Sequence, residues 1–246
     1  MRNPDNPPPE PSHHIGTLNE GPLHAALKQW YQQRHDRIEV KIDGYFVDIL
    51  RGEQIIEIQT GGFTAIRQKL KSLLRQHRVR LVYPMAENAF LLKMNSDLTH
   101  CQRRLSPKHR CLHHLFEELI ALPKLINHPN FDLEILLIEE EQVRNLKPKK
   151  RSRKGWRLVE RRLLNVRSQH LFQSRDDLLA LLPDDLNPCF DTAELASKLG
   201  IPRHLAQKMA YCLRHCQSIE VVGKKGNALL YQTIDQTLHS NRQYHD

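Results

Sequence analysis

Residues 47–62, VDILRGEQIIEIQTGG, constrain the fold more than any other stretch. Before them, Ile38, Val40 and Ile42 alternate with charged residues, Asp43-Gly44 marks a two-residue turn, and Phe46, Val47 and Ile49 follow. That is a strong short-range hairpin signal. RGEQ reads as a second turn and IIEIQT as a third strand, so the segment predicts an antiparallel three-strand meander. It carries Asp48 on the second strand, Glu57 on the third and Gln59 just beyond. Strand alternation puts Glu57 and Gln59 on one side and Ile56 and Ile58 on the other. Strands bound for a core seldom carry acids. Two acids on strands that pair across one turn can converge on a shared cation, and solvated acids on an exposed face are the alternative.

Helical patterns bracket the meander. Leu23, Leu27, Trp30 and Tyr31 recur at helical spacing over residues 18–33, and Ile66, Leu70, Leu73 and Leu74 do so over residues 64–77. VRLVYP is a continuous apolar run of the buried-strand kind, and AFLLKM is another. Residues 111–126 suggest a helix and FDLEILLIEE a further strand. The order α-β-β-β-α-β-β places the chain in the mixed α/β class.

The chain has 246 residues, room for one or two domains. Residues 1–16 are Pro-rich and polar, without the apolar region of a signal peptide, and read as a disordered lead-in. No run approaches the length of a membrane span. Five cysteines without a secretion signal fit a reducing cytoplasm. The net charge of +9 suggests a polyanionic partner. Much of it lies in KPKKRSRKGWRLVERR, which places a basic linker or arm at residues 147–173 between a domain at 17–146 and a smaller unit at 174–236, ahead of a tail at 237–246.

In the smaller unit, Ser174 and Asp191 stand as helix N-caps, Gly200 as a helix stop, and a third helix and a hairpin with Lys224, Lys225 and Gly226 at its turn follow. Leu205, Met209, Cys212 and Leu213 form one stripe of the third helix. Arg203, Gln207 and Arg214 lie opposite, with His204 and Lys208 at the edges. The pattern resembles a winged helix-turn-helix. The resemblance implies that this exposed side enters the major groove of double-stranded DNA while the lysines Lys224 and Lys225 sit on phosphates. A protein-contact module is the alternative. Cys212 and Cys216, one turn apart, read as core packing, since no second pair completes a zinc site. His109, His113 and His114 read as surface histidines.

VDILRGEQIIEIQ and the element order around it resemble the PD-(D/E)XK nuclease superfamily over roughly residues 17–95. The resemblance implies a restriction-endonuclease-like mixed sheet flanked by helices and followed by the small winged-helix domain. It implies Mg²⁺ or Mn²⁺ as cofactor, held by Asp48, Glu57 and the backbone carbonyl of Ile58. It assigns catalytic roles to Glu20, Asp48, Glu57 and Gln59, although Glu20 is also spaced as a capping-box partner of Thr17. Val47 stands where the motif's Pro would be, and Gln59 where its Lys would be. The expectation is a metal-dependent endonuclease acting on DNA. A catalytically inactive DNA-binding or recruitment protein and an RNA nuclease are the alternatives, and a homodimer or a partner protein stays open.

Overall fold

The structure, a computed structural model, describes residues 21–94, 101–145 and 156–234. Glu20, the 1–16 lead-in, the 237–246 tail and the basic residues 147–155 lie outside these. The expected meander forms: β1 (Arg37–Ile42), β2 (Tyr45–Arg51) and β3 (Gln54–Ile58) are antiparallel. Asp43 and Gly44 take φ 48 and 84, the two positive values that a type I′ turn requires and that Asp and Gly tolerate. Ahead of the meander is α1 (Pro22–Tyr31), with Pro at its start, where the missing N–H costs nothing. After it, α2 (Arg67–Leu73) returns the chain so that β4 (Arg78–Met94) runs parallel to β3. β5 (Cys101–Leu105) pairs with the far half of β4.

A 3₁₀ turn (Leu112–Leu115), the short helix α3 (Phe116–Leu119) and another 3₁₀ turn (Leu125–Asn127) occupy the region expected as one helix. Pro123, which cannot donate to a helical ladder, falls between the pieces. β6 (Phe131–Asn145) then pairs parallel with β4, and β7 (Arg157–Phe172) antiparallel with β6. Among the described residues these seven strands form one mixed sheet, ordered β1-β2-β3-β4-β6-β7 with β5 beside β4.

Two sequence expectations are corrected. VRLVYP and AFLLKM are one strand, because the intervening residues keep their pairing with β6 through a bulge near Ala86 and Asn88. The basic segment expected as a linker over 147–173 is, from Arg157 onward, an edge strand. Its arginines meet the acids of β6: Arg161 lies 2.7 Å from Glu140, Arg162 3.5 Å from Glu141 and Arg167 3.9 Å from Glu139. These three arginines, expected to be solvated, are paired across the ladder.

Both faces of the sheet are covered, which is why IIEI is apolar on both sides. Ile49, Ile56, Ile58, Val82, Leu136 and Ile138 pack against Leu23 and Leu27 of α1. At the far end of α1, the Tyr31 hydroxyl donates to Glu134 at 2.5 Å, Arg80 bridges Glu134 and Asp132, and Arg51 donates to the Tyr31 carbonyl. Burial, then the Glu134 hydrogen bond, pushes the Tyr31 phenol up to about 12, so it stays a donor.

The other face holds the larger core, which runs from Leu70 and Leu81 through Phe116 and Leu119 into the C-terminal segment. There α4 (Arg175–Leu179) begins at Ser174, whose hydroxyl accepts from the Asp177 amide in a capping box. α5 (Thr192–Leu199) begins at Asp191, which accepts from Ala193 and Glu194, and stops at Gly200 with φ 62. α6 (Arg203–His215) buries Leu205, Met209, Cys212 and Leu213 and packs on α3. β8 (Ile219–Lys225) and β9 (Ala228–Thr233) form the closing hairpin. Cys212 and Cys216 are buried as core, and burial pushes the Cys212 thiol up to about 12. His113 is half-buried rather than a surface residue, and its ring N–H donates to the Leu181 carbonyl.

Candidate active site

The last ladder pair between β2 and β3 is Ile49↔Ile56. One step further along, Asp48 and Glu57 stand on diverging strands. The Ile58 amide, freed from the ladder, donates to Asp48 Oδ2 at 2.7 Å. From α1, His24 Nε2 reaches the same oxygen at 3.2 Å. From α2, Lys69 Nζ lies 2.6 Å from both oxygens of Glu57 and also donates to the Phe46 carbonyl at 2.5 Å. An open cleft of about 330 Å³ joins these groups, lined also by Gln59, Thr60 and Gly61.

Glu57 is only 3% exposed. The ammonium donates to Oε2 with hydrogen-bond geometry and pairs with buried Oε1 by charge alone. Burial, reinforced by the charge of Asp48, pushes the Glu57 carboxyl up to about 7. Burial also works against ionised Asp48, but the His24 hydrogen bond, the Ile58 amide and the charge of Lys69 outweigh it and hold that carboxyl below its ordinary range. Two carboxylates thus share a partly dry corner, one held ionised and one pushed up to about 7.

This donor set fits a divalent cation. An ion shared by the two carboxylates would offset their mutual repulsion, which adds to burial in raising Glu57. Among the described residues no group of three or more His, Cys, Asp or Glu is placed to hold a metal. Two carboxylates suit Mg²⁺, which keeps waters and takes substrate phosphate for its remaining positions.

Gln59 is brought to the cleft, but its amide donates to the Gly62 carbonyl at 3.1 Å and so shapes its own loop. Behind that loop, Arg161 of β7 donates to the Thr60 carbonyl at 3.0 Å while paired with buried Glu140. The Phe63 amide donates to Glu118, and a side chain at Gly62 would press on that carboxylate, its Cβ 3.2 Å from Oε2. His24, Lys69 and Arg161 were not singled out from sequence. Lys69 lies in an acid-free stretch between Glu57 and Glu87 with Arg67, Lys71, Arg75, Arg78 and Arg80, and nothing in the sequence separates it from those five.

In the C-terminal unit, Arg203, His204, Gln207 and Arg214 are exposed on α6, with Lys208 half-buried at the edge. Lys224 and Lys225 are exposed at the end of β8. Tyr211 and His215, missed from sequence, complete the α6 stripe and pack ring to ring at 4.0 Å.

No helix among the described residues is long and apolar enough to cross a membrane. No solved structure matches the chain. It is 31% identical to a protein of Treponema pallidum (strain Nichols) named "Uncharacterized protein", over 89% of this chain and 87% of that one. A family described as "Domain of unknown function (DUF8091)" matches residues 21–173, a span that takes in α1, the whole sheet and the corrected edge strand β7. The chain belongs to the DUF8091 family.

Proposed function

We propose that this protein is a metal-dependent endonuclease of the PD-(D/E)XK type that hydrolyses phosphodiester bonds in DNA, in the cytoplasm. The observation that carries this reading is the convergence of Asp48, Glu57 and Lys69 where β2 and β3 diverge. The element order supports it: α1, a three-strand meander, then α2 leading to a parallel strand. Asp48 and Glu57, with the Ile58 carbonyl, would hold Mg²⁺ or Mn²⁺. When bound, the ion supplies Lewis-acid polarisation of a phosphoryl oxygen and lowers the pKa of a coordinated water.

The chain's own groups do the rest. Lys69, fixed by Glu57 and the Phe46 carbonyl, would take the part of the motif's lysine and stabilise charge developing on the phosphoryl group. His24 holds the Asp48 carboxylate in place. Gln59 and Arg161 hold the loop at residues 59–62 open beside it. The C-terminal unit acts as a winged helix-turn-helix that positions the duplex. Its α6 stripe of Arg203, His204, Gln207, Lys208, Tyr211, Arg214 and His215 carries no carboxylate.

The second reading, an inactive DNA-binding or recruitment protein, is favoured by one ion pair. The Lys69 ammonium already neutralises Glu57 and serves as a cation without a metal. One experiment separates the two. Purified full-length protein is incubated with supercoiled, linear, branched and single-stranded DNA and with RNA, in Mg²⁺, Mn²⁺ or EDTA. Cleavage of DNA that EDTA and Asp48→Asn both abolish is the expected result. DNA binding without cleavage in any metal selects the inactive reading, and cleavage of RNA alone selects a ribonuclease.

A further inference from the structure

Beyond the bulge near Ala86 and Asn88, β4 and β6 continue side by side to Met94 and Asn145, flanked by β5 and β7. The two faces of this far end carry their charges differently. Residues in register share a face, as do residues two apart on one strand. On one face Arg103 and Arg162 both meet Glu141, and Arg162 also meets Glu160. On the other, Lys93 stands in register with Arg144, and Arg104 with Leu91, two residues before Lys93. Glu140, also on that face, is already paired with Arg161. Among the described residues no carboxylate forms an ion pair with Lys93, Arg104 or Arg144.

Arg144 is held in place. Its guanidinium stacks on the Trp156 ring, 3.7 Å from the centroid. Its Nη2 donates to Gln142 at 2.6 Å, while its Nε is buried without a hydrogen-bond partner. Burial, then the charge of Arg104, draws its pKa down from the ordinary guanidinium value. Like charges set beside one another on a sheet cost stability, and an anion between them offsets that cost. Arg104 is exposed, and Lys93 and Arg144 are half-buried.

The cluster is tied to the cleft by a chain of hydrogen bonds. Gln142 donates to Glu140 at 2.7 Å, Glu140 accepts from Arg161 at 2.7 Å, and Arg161 donates to the carbonyl of Thr60, a residue of the cleft lining. Ile58, beside the carboxylates, is in register with Val82, and Val82 with Glu134. Arg144 is ten positions further along β6 than Glu134, roughly 33 Å at ~3.3 Å per residue. One turn of B-DNA is about as long, ~34 Å, so a duplex lying along β6 turns the same side to the cleft and to the cluster.

We propose that Lys93, Arg104 and Arg144 form a second phosphate-binding site, which holds the backbone of the DNA that runs from the cleft along β6. This rests on the nuclease reading above for the identity of the cleft. The planar fork of arginine matches phosphate oxygens, and Trp156 and Gln142 hold that fork in one plane.

The test is binding of the full-length protein to duplex DNA across a salt series, with Ca²⁺ replacing Mg²⁺ to keep the DNA intact. Lys93→Gln with Arg104→Gln leaves Arg144 and its packing in place. Because it removes only like charges, its melting temperature should match that of wild type. It should lower the slope of log affinity against log salt by about 1.8, ~0.9 for each phosphate given up. The advantage of wild type over this variant should therefore shrink about tenfold between roughly 50 and 200 mM salt. Lys93→Arg with Arg104→Lys, which keeps both charges, should retain the wild-type slope. Equal slopes for wild type and the Gln variant, including no binding by either, overturn the proposal, as does an equal loss in the charge-keeping variant. A slope difference without cleavage in Mg²⁺ or Mn²⁺ sinks the nuclease reading and leaves the phosphate site standing. Cleavage by wild type with equal slopes does the reverse.

Discussion

The ammonium of Lys69 lies 2.6 Å from both carboxylate oxygens of Glu57, a residue 12 positions earlier on a different element. On the proposed nuclease reading, this ammonium, delivered from the helix that follows, would take the part of the lysine that the motif carries two residues after the glutamate.

Lys69→Ala is therefore expected to lower the single-turnover cleavage rate by about 10²–10⁴-fold, the range for a positioned catalytic group. DNA affinity should change little. Gln59→Ala, which removes only a hydrogen bond within the loop, should cost less than about tenfold. In the Lys69→Ala background, Gln59→Lys should recover part of the rate. A double variant no faster than Lys69→Ala alone would place the cation requirement elsewhere.

Asp48→Asn should abolish metal-dependent cleavage because it removes the charge that remains ionised at neutral pH. The asparagine carbonyl can still accept from the Ile58 amide, so thermal stability should stay within about 1–2 kcal/mol of wild type. Rate and melting temperature, measured together, check both halves.

Glu57 makes stability fall with rising pH. Its folded value of about 7 lies above its ordinary value of 4.5. Below 4.5 both states carry the proton and nothing changes. Between the two values the unfolded chain has lost its proton while the folded chain keeps it, so stability declines as pH rises, and above 7 the whole penalty is present. Glu57→Gln removes it and should be more stable than wild type at pH 8 by about 1–2 kcal/mol, with the gap closing toward pH 4. Urea unfolding at several pH values without divalent metal measures this. A wild type that is steadier than the variant throughout would show that ionised Glu57 is not penalised. Mg²⁺ requires the ionised form, so metal affinity should climb as pH rises through 7.

Arg161→Met leaves Glu140 buried without its cation and frees the Thr60 carbonyl. Breaking one side of a buried pair typically costs about 3–5 kcal/mol. A loss of that order in denaturant unfolding is expected, and Arg161→Met with Glu140→Gln together should recover much of it.

On α6 and the hairpin, Arg203→Ala and Lys224→Ala should each weaken duplex binding and flatten its salt dependence, because a phosphate that the protein no longer neutralises keeps its counterion. Filter binding across a salt series reads both. Unchanged slopes would assign this face to another partner.

The meander, Asp48, Glu57 and the helix caps were legible because each rests on a local signal: Asp43-Gly44, alternation, Ser174 and Asp191. The edge strand β7 was not. Arginines at 161, 162 and 167 look like part of a solvated arm until β6 is placed beside them, and its acids at 139, 140 and 141 are the complement. Lys69 escaped for a similar reason. On an isolated amphipathic helix it reads as a solvent-facing cation, and only the crossover from β3 to β4 swings it onto Glu57. His24 depends on the angle at which α1 lies across the sheet, which Leu23, Leu27 and Tyr31 set through contacts distant in sequence. What the chain encodes locally could be read, and what two remote segments encode jointly could not.

The larger core passes without interruption from the sheet through Phe116 and Leu119 into Leu205, Met209 and Cys212. A duplex held by α6 would therefore be held by something rigidly joined to the cleft, like work clamped in a vice mounted on the saw. Such a machine has a set reach. Its cut should fall a constant number of base pairs from the grip, and substitutions at Phe116 or Leu119 should scatter that distance before they abolish the cut.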